Sequence, residues 1–295
     1  MRSEHGLDQA EGLRRLLVNN QTRIVTVVAG KTGVGRTSMT INLAAALARS
    51  GKDVLVLDEN HAPNNLLEPL MLSSRQDLLD VVQGRCAVQQ AVLRTNGFSI
   101  LPAARAMSSL NRLQVDEQQR LEQALSEASS GADMLLVDAA MCAGQSAASS
   151  SLAMGVSLLV VVDATVSGIT ESYTLIKRLA LENARLKFDV VVNKVNSEQE
   201  ALTVFKNMHK VARNHLDARL EYFGYIPLDA KLKRATQLGR SVVEAFPTAS
   251  SAKAYMELAH KFLHLPTERG EPAGGVSFMM QSLMRQIRSG EMAQV

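Results

Sequence analysis

Short apolar runs alternate with longer segments of helical periodicity along most of this chain. The apolar runs are rich in Val, Leu and Ile, and they lie at residues 23–29, 53–58, 98–103, 133–139, 157–164, 188–195 and 220–227. Continuous apolar runs of this length are typical of strands buried on both faces of a parallel sheet. A helix is predicted from Thr37 to about Ser50, and residues 64–93 have a mixed helical pattern. The alternation predicts an α/β fold: a doubly wound, mostly parallel sheet of about seven to eight strands with helices on both faces.

Polar groups stand at or near the ends of five of the predicted strands. They are the loop 30–37 after the first strand and the side chains Asp58, Asp138, Asp163 and Asn193. The carboxyl ends of parallel strands lie at one edge of a sheet, and open α/β sheets bind their ligands there. Carboxylates, an amide and a glycine-rich backbone suit a phosphate, a magnesium ion or a base. We therefore expect a ligand site at this edge.

The loop between the first strand and the first helix reads GKTGVGRT over residues 30–37. Gly30, Gly35 and Thr37 fit the spacing of a phosphate-binding loop, but Arg36 stands where such loops carry lysine. Glycines let successive backbone N–H groups converge on phosphate oxygens, and the start of the helix adds positive potential. The Thr37 hydroxyl is then a candidate ligand for magnesium. The alternative is an ordinary glycine-rich turn from strand to helix.

The composition narrows the classes of function. Hydrophobic residues make up 46% of the 295 residues, which is enough for a large buried core, while aromatic residues make up only 4% and Trp is absent. A formal net charge of +3 and few aromatic platforms argue against a nucleic-acid partner. Cys86 and Cys142 form no metal-binding motif, and neither a signal peptide nor a membrane-spanning run is recognised. These features predict a cytoplasmic protein.

The end of the chain has a different character. Residues 266–275, PTERGEPAGG, are typical of a flexible linker, and residues 276–295 follow as a short tail. On a helix, one side of the tail carries the apolar residues Val276, Met279, Met280, Leu283, Met284 and Ile287. An apolar stripe backed by arginines suits a membrane surface. The same stripe could instead pack on its own domain or in a groove of a partner, where methionine is an adaptable filler.

The loop GKTGVGRT resembles the deviant Walker A loop of the MinD/ParA family of dimerising ATPases. The resemblance implies ATP or ADP with Mg²⁺, and it implies that Lys31 reaches across a dimer to the partner's nucleotide. By the same resemblance, Asn193 and the loop around Pro227 lie near the adenine. The residues implied in nucleotide binding are Gly30, Lys31, Thr32, Gly33, Val34, Gly35, Arg36, Thr37, Ser38, Asn193 and Pro227.

Three elements depart from the family pattern. Arg36 replaces a lysine, Asn60 replaces the aspartate that positions the attacking water, and the turn 138–144 differs from the family's. The resemblance places Lys31 and Asp58 in catalysis, with Asn60 impaired there, and assigns magnesium to Thr37, Asp58 and Asp138. Glu59 is expected to point to the other side of an extended strand. We therefore expect nucleotide binding with weak hydrolysis or none; the alternative is that slow turnover persists.

The N-terminal segment points to one subfamily. Asp8, Gln9, Leu13 and Arg14 match the D-Q-A-x-x-L-R segment of the flagellar number regulators known as FlhG, FleN or YlxH. In that subfamily the segment docks on the GTPase FlhF and stimulates it. Residues 167–179, 190–216 and 220–262 also look like this subfamily. The alternative for the N-terminal segment is a fraying helix with no partner.

The resemblance divides the chain into a partner-activating segment (1–22), a MinD-like nucleotide-binding domain (23–265), a linker (266–275) and an amphipathic tail (276–295). It implies an ATP-dependent homodimer that meets the membrane through Met279, Met280, Leu283, Met284 and Ile287, at the cell pole. Partners would be an FlhF-type GTPase and a flagellar transcription activator. A second hypothesis is a non-catalytic adaptor of the same fold, and a third is a DNA-partitioning ATPase.

Overall fold

The computed structural model describes residues 22–140, 157–183, 187–216 and 218–264. Within these ranges, eight strands form one sheet in the order β3-β4-β2-β5-β1-β6-β7-β8. The strands are β1 (Arg23–Ala29), β2 (Val54–Asp58), β3 (Leu93–Arg94), β4 (Ser99–Pro102), β5 (Met134–Asp138), β6 (Ser157–Asp163), β7 (Lys187–Val195) and β8 (Arg219–Pro227). This is the doubly wound α/β fold that the sequence pattern predicts.

All seven predicted strands are present, and their bounds agree with the prediction closely. The neighbouring pairs among them are parallel. The eighth strand, β3, is antiparallel to β4 and lies at one edge of the sheet. It begins at the end of the region 64–93, for which a mixed helical pattern was predicted. The strand was missed because two residues are too few to show a period of two.

The described helices are α1 (Arg36–Arg49), α2 (Leu78–Val82), α3 (Val88–Ala91), α4 (Ala104–Ser108), α5 (Val115–Ala128), α6 (Val166–Asn183), α7 (Glu198–His215), α8 (Ala230–Gln237), α9 (Val242–Ala245) and α10 (Ser250–His264). Helix α1 matches its prediction to within one residue at each end. Most of its side chains are buried, which explains its mostly apolar sequence after the first turn.

The helices cover both faces of the sheet. Val25 and Val27 of β1 pack with α1, α9 and α10 on one face. Ile24 contributes to the opposite face with α2, α3, α4 and α5, and Val28 does so beside α6 and α7. This alternation along β1 shows that the central strand is buried on both sides, as its continuous apolar sequence predicts. Each fully buried Val or Leu of this kind stabilises the fold by about 1.5–3 kcal/mol.

The strand register determines which polar groups meet. Asp58 at the end of β2 is paired with Asp138 at the end of β5, and Asp138 is also paired with Val27 of β1. Both carboxylates therefore lie beside the loop that leaves β1. On the other side of β1, Asp163 of β6 is paired with Asn193 of β7. The carboxyl edge of the sheet thus gathers the predicted site residues around the 30–37 loop.

The segment divisions made from the sequence stay predictions. Of residues 1–22 the structure describes only Thr22, and the linker 266–275 and the tail 276–295 lie outside the described residues. None of the helices within the described ranges combines the length and apolar composition that a bilayer crossing requires.

Candidate functional site

A cavity of about 570 Å³ opens at the carboxyl edge of the sheet, over the start of α1. The 30–37 loop forms one wall, and the chain after β2 forms the opposite wall. The lining residues are Lys31, Thr32, Gly33, Gly35, Arg36, Thr37, Ser38, Glu59, Asn60, His61, Ala62, Pro63, Asn64, Asn65, Pro69, Met107, Ser108 and Ala140. Seven of the nine predicted loop residues therefore face one space that is large enough for a nucleotide, whereas Gly30 and Val34 do not line it.

Glycine is required at three positions of this loop. Gly33 and Gly35 have φ angles of 80° and 98°, in the left-handed region that favours glycine. Gly30 lacks space for a side chain, since a Cβ there would come within 2.3 Å of the Glu171 backbone carbon in α6. Gly35 is the residue before α1, so the first backbone N–H groups of that helix have no partner within the helix. These N–H groups can donate to an anion such as a phosphate.

Two side chains near the carboxyl end of β7 hold the loop in place. The Nδ2 of Asn193 donates a hydrogen bond to the Val34 carbonyl oxygen at 2.7 Å, and Asn193 is buried. Lys194 donates from Nζ to the Gly33 carbonyl oxygen. Asn193 and Pro227 do not line the cavity. Their contact with an adenine stays a prediction, whereas the structural work of Asn193 is to hold the loop.

Lys31 extends along the surface of its own chain. Its Nζ donates a hydrogen bond to the Oγ of Ser167 at 2.6 Å, in the first turn of α6. The side chain is only partly buried and lines the cavity at its mouth. Among the described residues, Lys31 is held beside the site by the exposed Ser167 hydroxyl, which leaves its charge accessible to a ligand.

Arg36 turns into the protein. Its side chain is 7% exposed, and its Nε donates to Asp138 Oδ1 at 3.0 Å. Its Nη2 donates to Asn60 Oδ1 at 2.6 Å. Among the described residues, its Nη1 has no hydrogen-bond partner. The arginine that replaces the expected lysine thus forms a buried ion pair with one of the predicted magnesium ligands.

Asn60 connects the two carboxylates. Its Nδ2 lies 3.0 Å from Asp138 Oδ2 and 3.2 Å from Asp58 Oδ1, and its backbone N–H donates to Asp58 Oδ1 at 3.1 Å. The other oxygen of Asp58 accepts from the Leu66 N–H at 2.6 Å. Asn60 is thereby held by both aspartates and by Arg36. A carboxylate at this position would be the third acidic group in the cluster, beside Asp58 and Asp138.

Burial dominates the electrostatics of both aspartates. Burial, and after it the charge of Asp138, raises the pKa of Asp58 to about 7 from an ordinary 3.8, against the lowering effect of its hydrogen bonds. Burial also raises the pKa of Asp138, although the Arg36 charge and the hydroxyls of Thr40 and Thr37 act to lower it. Each carboxylate therefore gains a proton more readily than it would in water.

The predicted magnesium ligands come together but are engaged with one another. The Oγ1 of Thr37 lies 3.1 Å from Asp138 Oδ2, which is also 3.0 Å from the Asn60 amide. Asp58 uses both oxygens within the protein and does not line the cavity. Magnesium requires near-octahedral oxygen ligands, and here N–H and O–H donors of the protein occupy the carboxylate oxygens of both aspartates. As placed, Thr37, Asp58 and Asp138 do not fit a magnesium ion.

Part of the cavity was missed by sequence reasoning. Glu59 was expected to point away, but it lines the cavity, and its Oε2 accepts a hydrogen bond from the Ala140 N–H at 3.1 Å. The expectation was wrong because β2 ends at Asp58, so strand alternation does not continue to the next residue. The wall 61–65 is irregular chain without a motif. The signal available in advance is the run of polar residues that begins directly after the strand end and includes Asn60 and His61.

Several predicted residues lie outside the described residues. They are the partner-binding set Asp8, Gln9, Leu13 and Arg14, and the membrane set Met279, Met280, Leu283, Met284 and Ile287. Residues 141–144 of the altered turn also lie outside them. The roles assigned to these residues stay predictions.

Comparisons with known proteins show which family the chain belongs to. A family model described as the CobQ/CobB/MinD/ParA nucleotide-binding domain matches residues 25–242. The antiactivator FleN of Pseudomonas aeruginosa is 35% identical over 269 residues, which cover 91% of this chain and 95% of FleN. The septum site-determining protein MinD of Helicobacter pylori is 27% identical, over 81% of this chain and 90% of that protein. A MinC:MinD cell division protein complex from Aquifex aeolicus has a TM-score of 0.62 at 26% identity, covering 84% of this chain and 99% of that one.

Proposed function

Because this chain belongs to the CobQ/CobB/MinD/ParA nucleotide-binding family, we propose that it is an ATP-binding switch that regulates the number and placement of flagella. The observation that carries the proposal is the cavity over the start of α1. There a loop with glycines at positive φ directs backbone N–H groups towards the space where phosphates would bind. Its ligands are ATP and ADP. The flagellar role is supported by the similarity to FleN along most of both chains.

In the proposed cycle, ATP brings two copies of the chain together and Lys31 completes the partner's site. The hydrogen bond from Lys31 to the exposed Ser167 hydroxyl supports this role, because a charged partner such as a phosphate would replace a neutral acceptor at small cost. The remaining loop, residues 33–38, holds the phosphates of its own nucleotide. Dimerisation therefore depends on Lys31, whereas nucleotide binding by a single chain does not.

Sizing the protein by light scattering tests this step. We expect the wild type to be a monomer with ADP and a dimer with a slowly hydrolysed ATP analogue. Lys31→Ala should remain a monomer in both and still bind ATP, because its own loop is intact. Lys52→Ala is the matched control, since Lys52 precedes β2 at the opposite end of the strands. A Lys31→Ala dimer, or a monomeric wild type with the analogue, would contradict the cycle.

The two ends of the chain carry the output in this proposal. Residues 1–22 contact an FlhF-type GTPase, and the dimer also meets a flagellar transcription activator. The tail 276–295 brings the cytoplasmic protein to the membrane at the cell pole. Vesicle flotation with anionic lipid separates membrane binding from packing of the tail. We expect the wild type with ATP to float and Leu283→Glu to remain in solution; a floating Leu283→Glu variant would contradict the assignment.

A second candidate, a nucleotide-bound adaptor without turnover, is favoured by the contacts of Asn60. Its amide is held by Arg36, Asp58 and Asp138, and it is no carboxylate base for water. Phosphate release measured beside equilibrium ATP binding separates the two. Binding with turnover supports the switch, and binding without turnover supports the adaptor. If the departures limit the rate, Arg36→Lys with Asn60→Asp should raise it; an unchanged rate would assign the limit to the 138–144 turn or to the dimer.

The DNA-partitioning alternative makes a separate prediction. It requires ATP-dependent binding to nonspecific DNA that weakens steeply with salt. A chain with a net charge of +3 and few aromatic residues does not favour this partner. Retention of the protein on DNA at physiological salt would revive the alternative.

A further inference from the structure

Arg36 is one of the residues that line the cavity, and its guanidinium also contacts the buried Asp138. One side of its guanidinium donates to Asp138 at 3.0 Å and to Asn60 at 2.6 Å. Arg36 nevertheless lines the cavity, and its Nη1 has no hydrogen-bond partner among the described residues. A guanidinium carries five N–H donors in a planar fork, so it can hold a carboxylate with one edge and another anion with the next.

An unpartnered, nine-tenths buried N–H group requires an explanation, because leaving such a donor without an acceptor costs about 1–3 kcal/mol. The ligand proposed for this cavity supplies the missing acceptor, since the phosphates of a nucleotide lie over the start of α1 in such a loop. Arg36 belongs to the first turn of α1, so its side chain starts from that position. A phosphate oxygen at Nη1 would complete the hydrogen bonds of the guanidinium.

The same arrangement disfavours a divalent cation. Asp138 is fully buried and receives donors from Arg36, Thr40, Thr37 and Asn60. A magnesium ion would have to displace such donors and would also stand beside a fixed positive charge, which repels it strongly at low dielectric. A magnesium ion usually links a phosphate to acidic side chains, and in this structure the Arg36 guanidinium occupies the acidic side of that link at Asp138.

We infer that Arg36 is a built-in counter-ion that links the nucleotide phosphates to Asp138, so that this chain binds ATP and ADP without a divalent cation. The inference rests on the proposed nucleotide-binding function and specifies how that site is neutralised. The inference also predicts that Arg36 and a lysine at the same position bind nucleotide differently. A lysine carries a point charge on a flexible stem, and it cannot hold Asp138, Asn60 and a phosphate together.

Isothermal titration of the full chain with ATP and with ADP, in excess Mg²⁺ or in excess EDTA, tests the inference. For the wild type we expect the two Kd values of each nucleotide to differ by less than about threefold, because the guanidinium does not depend on a metal. Arg36→Lys should lose about tenfold or more in EDTA, because its ammonium no longer bridges to Asp138. Arg49→Lys is the matched control on the same helix, where the side chain is exposed, and it should behave as the wild type.

Each outcome decides a different point. Wild-type binding that needs Mg²⁺ overturns the inference and leaves the proposed function standing. The inference is also overturned if the Arg36→Lys variant, shown by circular dichroism to be folded, binds nucleotide in EDTA as tightly as the wild type. An absence of heat with either nucleotide in either buffer refutes nucleotide binding itself, and the inference with it.

Discussion

Replacing Arg36 with methionine removes the guanidinium that pairs with Asp138 and leaves a similar apolar volume. Both partners are buried, with 7% and 0% of their side chains exposed. Removing one member of a buried pair costs about 3–5 kcal/mol, because the other charge stays behind without its partner. Asp138 keeps donors from Thr37, Thr40 and Asn60, so the lower end of that range, about 3 kcal/mol, applies. For a domain of this size that corresponds to a fall in Tm of about 6–12 °C.

The loss should depend on pH in a defined direction. Burial raises the pKa of Asp138 and the Arg36 charge opposes that rise, so Arg36→Met raises the pKa further. A carboxyl whose folded pKa exceeds its unfolded value favours folding at low pH, and this contribution is lost as pH rises through the folded pKa. The deficit of Arg36→Met should therefore be larger at pH 8 than at pH 5.5.

A double-mutant cycle measured by urea unfolding without nucleotide checks the pairing. Asp138→Asn alone leaves a buried guanidinium without its carboxylate and should also destabilise the fold. The double variant Arg36→Met/Asp138→Asn should be more stable than the sum predicts by about 2 kcal/mol or more, since each change removes the reason for the other's cost. Arg49→Met on the same helix should cost under about 1 kcal/mol. Additive losses in the double variant would refute the buried pair.

Three further changes probe the site. Asp58→Asn should flatten the pH dependence of stability between about pH 4 and 7. Because the pKa of Asp58 is raised to about 7, the wild type loses up to about 4 kcal/mol of stability as pH rises through that window. Thermal melts measure this slope, and an unchanged slope in Asp58→Asn would contradict the reasoning. Gly30→Ala should lower both stability and ATP affinity, because its Cβ would lie 2.3 Å from the Glu171 backbone; a variant with wild-type melting and titration curves would contradict the close contact. Asn193→Ala should cost about 1–3 kcal/mol in urea unfolding, since the buried amide no longer holds the Val34 carbonyl, and Asn193→Asp should not restore it.

The fold was predictable because its signals are long and redundant. Seven strands carry continuous apolar runs, and the glycine pattern between β1 and α1 reflects backbone conformations that glycine alone adopts readily. The strand β3 was missed because Leu93–Arg94 is too short to display a period. The meeting of Asp58 and Asp138 followed from the parallel sheet, since equivalent strand ends lie at one edge.

The interior of the site was less predictable. The sequence indicated a charge at position 36, but not that the side chain turns towards Asp138 and Asn60. A long arginine has many rotamers, and the one adopted depends on residues 102 and 24 positions away. The position of Glu59 was missed for a related reason: strand geometry stops at Asp58, and the next residues follow tertiary contacts. Side-chain direction at a strand end is determined by neighbours from other elements, which spacing along the chain does not report.

Gly30 has a mechanical consequence. Because it has no side chain, the main chain of the loop rests directly on the main chain of α6 at Glu171 and Ser172. Two main chains in direct contact have no side-chain rotamers that could change to accommodate a movement. A rearrangement of the loop is therefore expected to displace the helix as a unit. With 18 residues, α6 is about 27 Å long. A displacement of the loop at Gly30 is therefore expected to shift this helix along its whole length.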